Sequence, residues 1–218
     1  MKNDALEMLR LFHAELVHIR RDIHANPELG FEETRTSQLV ADKLGEWGIE
    51  VHRGLAKTGV VGVIKGRKSS SGRAIGLRAD MDCLPMHETG ELPHKSKVAG
   101  RMHACGHDGH TTMLLGAARY LAQTRNFDGT VNLIFQPAEE GGGGGRVMVE
   151  EGLFEKFPVD TVYALHNWPG LPAGKMAVRP GAMMAATGWA RGSTSPGSEP
   201  ERSGRCTGSS WGRTTSST

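Results

Sequence analysis

Residues 110–165 read HTTMLLGAARYLAQTRNFDGTVNLIFQPAEEGGGGGRVMVEEGLFEKFPVDTVYAL, and this stretch decides the fold. His110 to Gln123 predicts a helix and the apolar run Val131-Asn132-Leu133-Ile134-Phe135 a strand. Arg146 to Leu153 predicts a short helix, and Thr161-Val162-Tyr163-Ala164-Leu165 a further strand. Strands alternating with helices imply an α/β fold, a sheet that carries helices on its faces. Upstream, Val60-Val61-Gly62-Val63-Ile64 and Ala74-Ile75-Gly76-Leu77 read as strands joined by the turn Ser69-Ser70-Ser71-Gly72. A helix is expected from Thr34 to Trp47, with Leu39, Val40, Leu44 and Trp47 inward and Gly48 as its stop. Nearer the N-terminus Leu6, Leu9, Phe12, Leu16, Ile19 and Ile23 recur at helical spacing and predict one amphipathic helix ending before Asn26-Pro27.

Composition bounds what such a fold can do. The 218 residues are ample for a hydrophobic core, and 26 Lys+Arg against 24 Asp+Glu leave a formal charge of +2 with no basic run. A nucleic-acid footprint is therefore not expected. No apolar stretch approaches the roughly 18 residues of a membrane span. Charges at Lys2, Asp4, Glu7, Arg10, Glu15, Arg20, Arg21 and Asp22 leave no room for a secretory signal, so a cytoplasmic setting is the expectation. Cys83, Cys105 and Cys206 are odd in number and irregularly spaced, which suggests reduced thiols, one of them a candidate ligand. The chain changes character at Gly188. From there to Thr218 there is no Val, Ile, Leu, Met or Phe, and eight Ser, six Gly and five Thr cannot bury a core. Two segments are expected: 1–187 as the folded domain and 188–218 as a low-complexity tail, disordered or out of frame.

Chemistry-bearing residues fall at the ends of the expected strands. Asp80 and Asp82 follow the Ala74–Leu77 strand, Glu139 and Glu140 follow Val131–Phe135, and His166 follows Thr161–Leu165. Open α/β sheets bind ligands beyond the carboxyl ends of their strands. The segment Met102-His103-Ala104-Cys105-Gly106-His107-Asp108-Gly109-His110 adds a thiol and three imidazoles. Read as extended chain, Cys105 and His107 face the same side, with Gly106 letting the backbone fold close. Thiolate and imidazole suit zinc, while imidazole with carboxylate also suits manganese, iron or nickel. A second Cys or His pair of zinc-finger spacing is missing, and the Gly141–Gly145 run lacks the Lys of a phosphate loop. Taken singly, a His here is more often a hydrogen-bonded surface residue, and Glu139-Glu140 could be a solvated acidic pair. Together on one rim they point to metal-assisted hydrolysis. Adjacent residues of an extended chain face opposite ways, so one carboxylate could bind an ion while the other faces substrate and water. Asp80 and Asp82 fit carboxylates that orient a ligating His, or turn residues before Pro85. Asn167 is a candidate partner for a substrate carbonyl.

His24-Ala25-Asn26-Pro27-Glu28-Leu29-Gly30, Leu77-Arg78-Ala79-Asp80-Met81-Asp82, the Cys105–His110 cluster, Gln136-Pro137-Ala138-Glu139-Glu140 and Ala164-Leu165-His166-Asn167 occur in that order. In order and spacing they resemble the metal-dependent amidohydrolases of the M20 peptidase family, in the subgroup of hippurate, N-acyl-amino-acid and indole-acetyl-amino-acid hydrolases. The resemblance implies a zinc-peptidase-like three-layer fold, a sheet with helices on both faces. It implies two divalent metal ions, zinc, manganese or nickel, held by Cys105, His107, Glu140 and His166, with Glu139 as general base. The implied reaction is hydrolysis of the amide bond of a small N-acyl amino acid, hippurate (benzoylglycine) first, to benzoate and glycine. A non-catalytic metal-binding remnant, and an exopeptidase of the same family, are the alternatives. The sequence departs from the family pattern at Asp80, where a His-x-Asp motif is usual. It departs again after Met184, where a lid and dimerisation domain and a final His ligand are expected. The fold is accordingly expected to be incomplete, this chain to be inactive or nearly so, and the homo-oligomer of full-length relatives to lack its dimerising element.

Overall fold

Six helices and five strands occupy residues 4–178, which the computed structural model describes. First come α1 (Asp4–Leu11), α2 (His13–Ala25), α3 (Thr34–Glu46), β1 (Glu50–Leu55), β2 (Gly59–Lys65) and β3 (Ala74–Asp80). A long loop then leads to α4 (His107–Thr124), β4 (Thr130–Gln136), α5 (Gly144–Glu150), α6 (Leu153–Lys156) and β5 (Thr161–Ala164). The strands form one sheet in the order β1-β2-β4-β3-β5. β3 pairs parallel with both β4 and β5, whereas β2 pairs antiparallel with β4 and with β1.

Side-chain alternation along β4 divides the core between two faces. Val131, Leu133 and Phe135 join the larger cluster, where Ile19 and Ile23 of α2, Val40 and Leu44 of α3, and Leu114 and Leu115 of α4 cover the sheet. Ile134 points the other way, into a smaller cluster with Val61, Leu55, Met148 of α5 and Leu153 of α6. Helices therefore cover both faces and the expected three layers are present. Leu133 and Phe135 are fully buried, each contributing about 1.5–3 kcal/mol by removal of apolar surface from water. Among the described residues no helix is long and apolar enough to cross a membrane.

Several expectations need correcting. The N-terminal helix is two helices, interrupted at Phe12, whose backbone (φ −115°, ψ 16°) leaves the helical region as its ring turns into the core. The Arg119 guanidinium stacks on that ring at 4.4 Å. The strands β2 and β3, consecutive in the chain, are not neighbours in the sheet: β4 lies between them and pairs Val131 with both Ile64 and Ile75. Strand β1 escaped the sequence reading: Glu50-Val51-His52-Arg53-Gly54-Leu55 is a largely exposed edge with no apolar alternation, held by backbone pairing to β2. The helix expected over Arg146–Leu153 is split into α5 and α6 at Gly152 (φ +90°). Residues 179–218, with the expected boundary at 187/188 and Cys206, lie outside the described residues.

Candidate metal centre

Parallel strands β4, β3 and β5 all end on one rim, and the chain just past each end supplies the site. Asp80 is the last residue of β3 and Asp82 lies two further on; both carboxylates are buried. His107 is the first residue of α4, three residues earlier than the helix was expected to start. Cys105-Gly106-His107 is thus a helix entry and not an extended run. Gly106 takes φ +90°, and a Cβ there would strike the Asn167 side chain, so the entry requires glycine twice over.

The fully buried His107 ring divides its nitrogens. Nδ1 donates to Asp82 Oδ1 at 3.2 Å, while Nε2 is buried with no hydrogen-bond partner. Around Nε2 stand Asp80 Oδ2 at 3.7 Å, Glu140 Oε1 at 3.8 Å and Glu139 Oε2 at 3.9 Å. Ligand atoms of Cys105, His107 and His166 lie within 4.8 Å of one another, as do those of His107, Glu139 and Glu140. A ligating nitrogen sits about 2.0–2.1 Å from zinc and a thiolate about 2.3 Å, so donors sharing an ion must gather within about 4 Å. An orphaned imidazole nitrogen facing a thiol, a second imidazole and two carboxylates fits a divalent-ion centre. A buried polar atom left without a partner otherwise costs on the order of 1–3 kcal/mol.

Glu139 and Glu140 occupy a turn, so the expected opposed side chains of an extended pair are not found; both carboxylates lean toward His107. The turn begins at Ala138, a non-glycine residue at φ +50°, and Asp82 Oδ2 accepts the Glu140 N–H at 2.8 Å. Asp82 thereby ties the acidic turn to the His107 imidazole. These are the contacts that a carboxylate orienting the His107 ring would make.

Charges in this cluster shift one another. Burial lowers the pKa of His107, but its hydrogen bond to Asp82, the thiol of Cys105 and the charges of Asp80 and Asp82 overcome it and raise the ring to about 11. Burial pushes Asp80 up, yet the His110 hydrogen bond and the Arg78 and His107 charges hold it well below the usual carboxylate range. The His107 imidazolium pulls the Cys105 thiol down; burial and the Glu140 carboxylate outweigh it, so the thiol lies above its ordinary value. Burial and the neighbouring Glu140 raise Glu139.

All the candidate residues Cys105, His107, Glu139, Glu140 and His166 come together, with the Cys105 Sγ and His166 Nε2 3.3 Å apart. Asn167 is less free than expected, because its Oδ1 lies 2.6 Å from His110 Nε2, which also accepts the Asn167 N–H at 3.0 Å. His110 in turn donates from Nδ1 to Asp80 Oδ1 at 2.7 Å, so it anchors the loop that bears His166. Sequence reasoning left His110 without a role, although its place one helical turn after His107 was a usable signal. It also missed His24, whose Nδ1 bonds Asp108 Oδ2 at 2.9 Å and whose Nε2 faces Glu88 Oε1 at 3.2 Å. Asp108 stands in the first turn of α4, and this contact anchors the helix entry to α2. His103 joins none of the ligand groups. The second described thiol, Cys83, is buried and pushed up to about 12, so it is inert.

Comparison with known proteins finds relatives of sequence and of fold. The family model described as peptidase family M20/M25/M40 matches residues 76–212. The chain is 57% identical over 173 residues to the hippurate hydrolase of Campylobacter jejuni, covering 79% of this chain and 44% of that protein. It is 50% identical over 177 residues to an IAA-amino acid hydrolase of Arabidopsis thaliana, covering 80% of this chain and 39% of that one. A Bacillus subtilis crystal structure described as a dinuclear metal binding peptidase from the M20 family superposes with a TM-score of 0.74 at 44% identity, over 78% of this chain and 47% of that chain. This chain spans less than half the length of each of these relatives.

Proposed function

We propose a function from one premise: this chain belongs to peptidase family M20/M25/M40. The proposed reaction is metal-dependent hydrolysis of the amide bond of small N-acyl amino acids, with benzoylglycine, cleaved to benzoate and glycine, as the first substrate to test. The observation that carries it is the buried, unpartnered Nε2 of His107 facing a thiol, an imidazole and two carboxylates. The relatives named hippurate hydrolase and IAA-amino acid hydrolase support the substrate class. Cys105, His107, Glu140 and His166 would hold two divalent ions, zinc, manganese or nickel. When bound, such ions supply Lewis-acid polarisation and a lowered pKa for water.

The chain's own groups do the rest. Glu139, more exposed than Glu140 (42% against 23%) and raised in pKa, takes a proton from the attacking water. It returns that proton to the departing amine, so one water is added across the C–N bond and a carboxylate and an amine leave. Asp82 holds the His107 tautomer that keeps Nε2 toward the ions. Asp80, through His110, holds the segment bearing His166.

Two ions take about four ligands each, and four protein donors are few for the pair. The 218-residue chain by itself is accordingly expected to hydrolyse benzoylglycine at or near background. The division into a partial catalytic domain, 1–187, and a tail, 188–218, a cytoplasmic setting and a homo-oligomer in longer forms belong to the same proposal. Reading the encoding nucleic acid past the codon for Thr187 in its other two frames checks the division.

Cobalt(II) titration of the purified chain tests the site. It should show uptake of about two ions and a thiolate-to-cobalt absorption band that Cys105→Ser abolishes. Uptake indifferent to Cys105→Ser would overturn the ligand assignment. Benzoyl-, acetyl- and indole-acetyl-amino acids, assayed with a form extended to the length of the relatives, test the chemistry. Turnover of unblocked peptides instead would favour an exopeptidase, and ion uptake without any turnover a non-catalytic metal-binding role.

A further inference from the structure

We propose that Glu33 is a positioning residue that clamps the Ala138 turn and thereby aims Glu139 and Glu140 at His107; this rests on the roles proposed above for those two residues. Glu33 is fully buried, and no ion pair to it is present among the described residues. A buried carboxylate without a cation is costly to keep, so its contacts need a reason. One oxygen accepts the Thr58 hydroxyl at 2.6 Å and the other accepts the Ala138 N–H at 2.8 Å.

Glu33 also occupies the N-cap position of α3 and makes no capping bond there. Glu28 performs that task from outside the helix, its two oxygens accepting the N–H groups of Arg35 at 2.9 Å and Thr36 at 2.8 Å. The side chain best placed to cap is thus released toward a segment 105 residues away. At that segment Ala138 adopts φ +50°, a region that L-residues with a Cβ enter only under constraint. Its carbonyl accepts the Gly144 N–H at 3.0 Å, and the next amide but one, that of Glu140, donates to Asp82. Gly30 presses on the same residue, since a Cβ at Gly30 would sit 2.9 Å from the Ala138 Cβ. Glu33 and Asp82 therefore hold by hydrogen bonds, and Gly30 packs against, a turn whose left-handed residue directly precedes the two acidic side chains. Burial raises the Glu33 pKa, the Thr58 and Ala138 hydrogen bonds lower it, and the net shift is upward. A neutral amide at this position can accept the same backbone proton.

The test uses amide exchange and cobalt(II) binding in the 218-residue chain, with thermal unfolding as the check on folding. Ala138 N–H exchange in the metal-free protein should stay slow in Glu33→Gln, which keeps the acceptor. It should quicken about ten-fold or more in Glu33→Asp, which is one methylene short, as loss of a hydrogen bond to a buried carboxyl group implies. Cobalt affinity should be within about three-fold of the parent in Glu33→Gln and about ten-fold weaker in Glu33→Asp. Adding Ala138→Gly to Glu33→Asp should restore much of the affinity, because glycine enters the left-handed region unaided. A merely structural loss would not be cured that way. If Glu33→Asp does not fold, Thr58→Val, which frees the other oxygen, should speed Ala138 exchange by a smaller factor. Exchange at the parent rate in folded Glu33→Asp or, where that variant does not fold, in Thr58→Val, unchanged cobalt affinity in Glu33→Asp, or no recovery with glycine would each overturn the proposal. Neither readout uses a substrate, so a failed substrate assignment leaves both decisive. If the parent chain takes up no cobalt, the site reading fails while exchange still decides the clamp.

Discussion

The ring of His107 commits one nitrogen to the protein and leaves the other buried without a hydrogen-bond partner. Asp82 fixes Nδ1, and the cluster of acids and sulfur around Nε2 makes the ring a cation as it stands, its pKa raised to about 11. Ion binding must then displace a proton, so apparent affinity should rise with pH. At the next residue pair the chemistry divides by exposure. Glu139→Gln is expected to leave cobalt uptake intact and to lower benzoylglycine turnover by about 10²–10⁴-fold in the form that hydrolyses it, the usual worth of a general base. Glu140→Gln should instead weaken ion binding, and comparable cobalt titrations of the two variants would show the assignments reversed if the effects are swapped. The candidate cluster was legible in the sequence, because a thiol, imidazoles and paired acids at strand ends have few other joint uses. Their partners were not. Glu33, His110 and Asp108 are ordinary polar residues in a string of letters, and only contacts across the fold give them tasks.

Elements decide where those donors point. Helix α4 begins at His107 because Gly106 adopts a left-handed conformation, which turns the chain from the loop into the helix and leaves room for Asn167. Gly106→Ala should therefore both strain the entry and displace the loop that carries His166. A drop of about 1–2 kcal/mol in stability is expected from the backbone alone, with cobalt binding weakened beyond what Glu33→Gln shows. Urea unfolding and cobalt titration measure the two effects separately. Sequence periodicity found the long apolar helix and strands α3, α4, β2 and β4, since those bury one face or two. It failed at β1, which is an exposed edge, and at the breaks in the N-terminal and 144–156 helices, where Phe12 packing and the Gly152 conformation override local preference.

Across the whole unit, the His24–Asp108–Glu88 contacts join α2, the long loop before α4 and the first turn of α4 beside the candidate site. The Asp108 hydrogen bond raises His24 above its ordinary 6.5 against the opposing effect of burial, and Glu88 adds to the rise. Burial raises Asp108, but His24, His103 and Arg20 bring it below 3.8. A raised imidazole stabilises fully below pH 6.5 and loses that stabilisation as pH climbs through its folded value. A lowered carboxylate stabilises above pH 3.8 and loses it as pH falls through its folded value. The melting-temperature gap between the parent and Asp108→Asn, taken with a chelator present, should thus be widest between pH 3.8 and 6.5 and shrink on the alkaline side. A gap that keeps growing above pH 8 would contradict the pairing. By itself the sequence determined the α/β class and named the candidate site residues and the rim on which they gather, because burial periodicity and residue chemistry are local properties. Tertiary structure alone decided the strand order, the turn that brings Glu139 and Glu140 to one side, and the buried polar contacts that hold it. Those depend on which distant segments share a face, and no spacing along the chain encodes that.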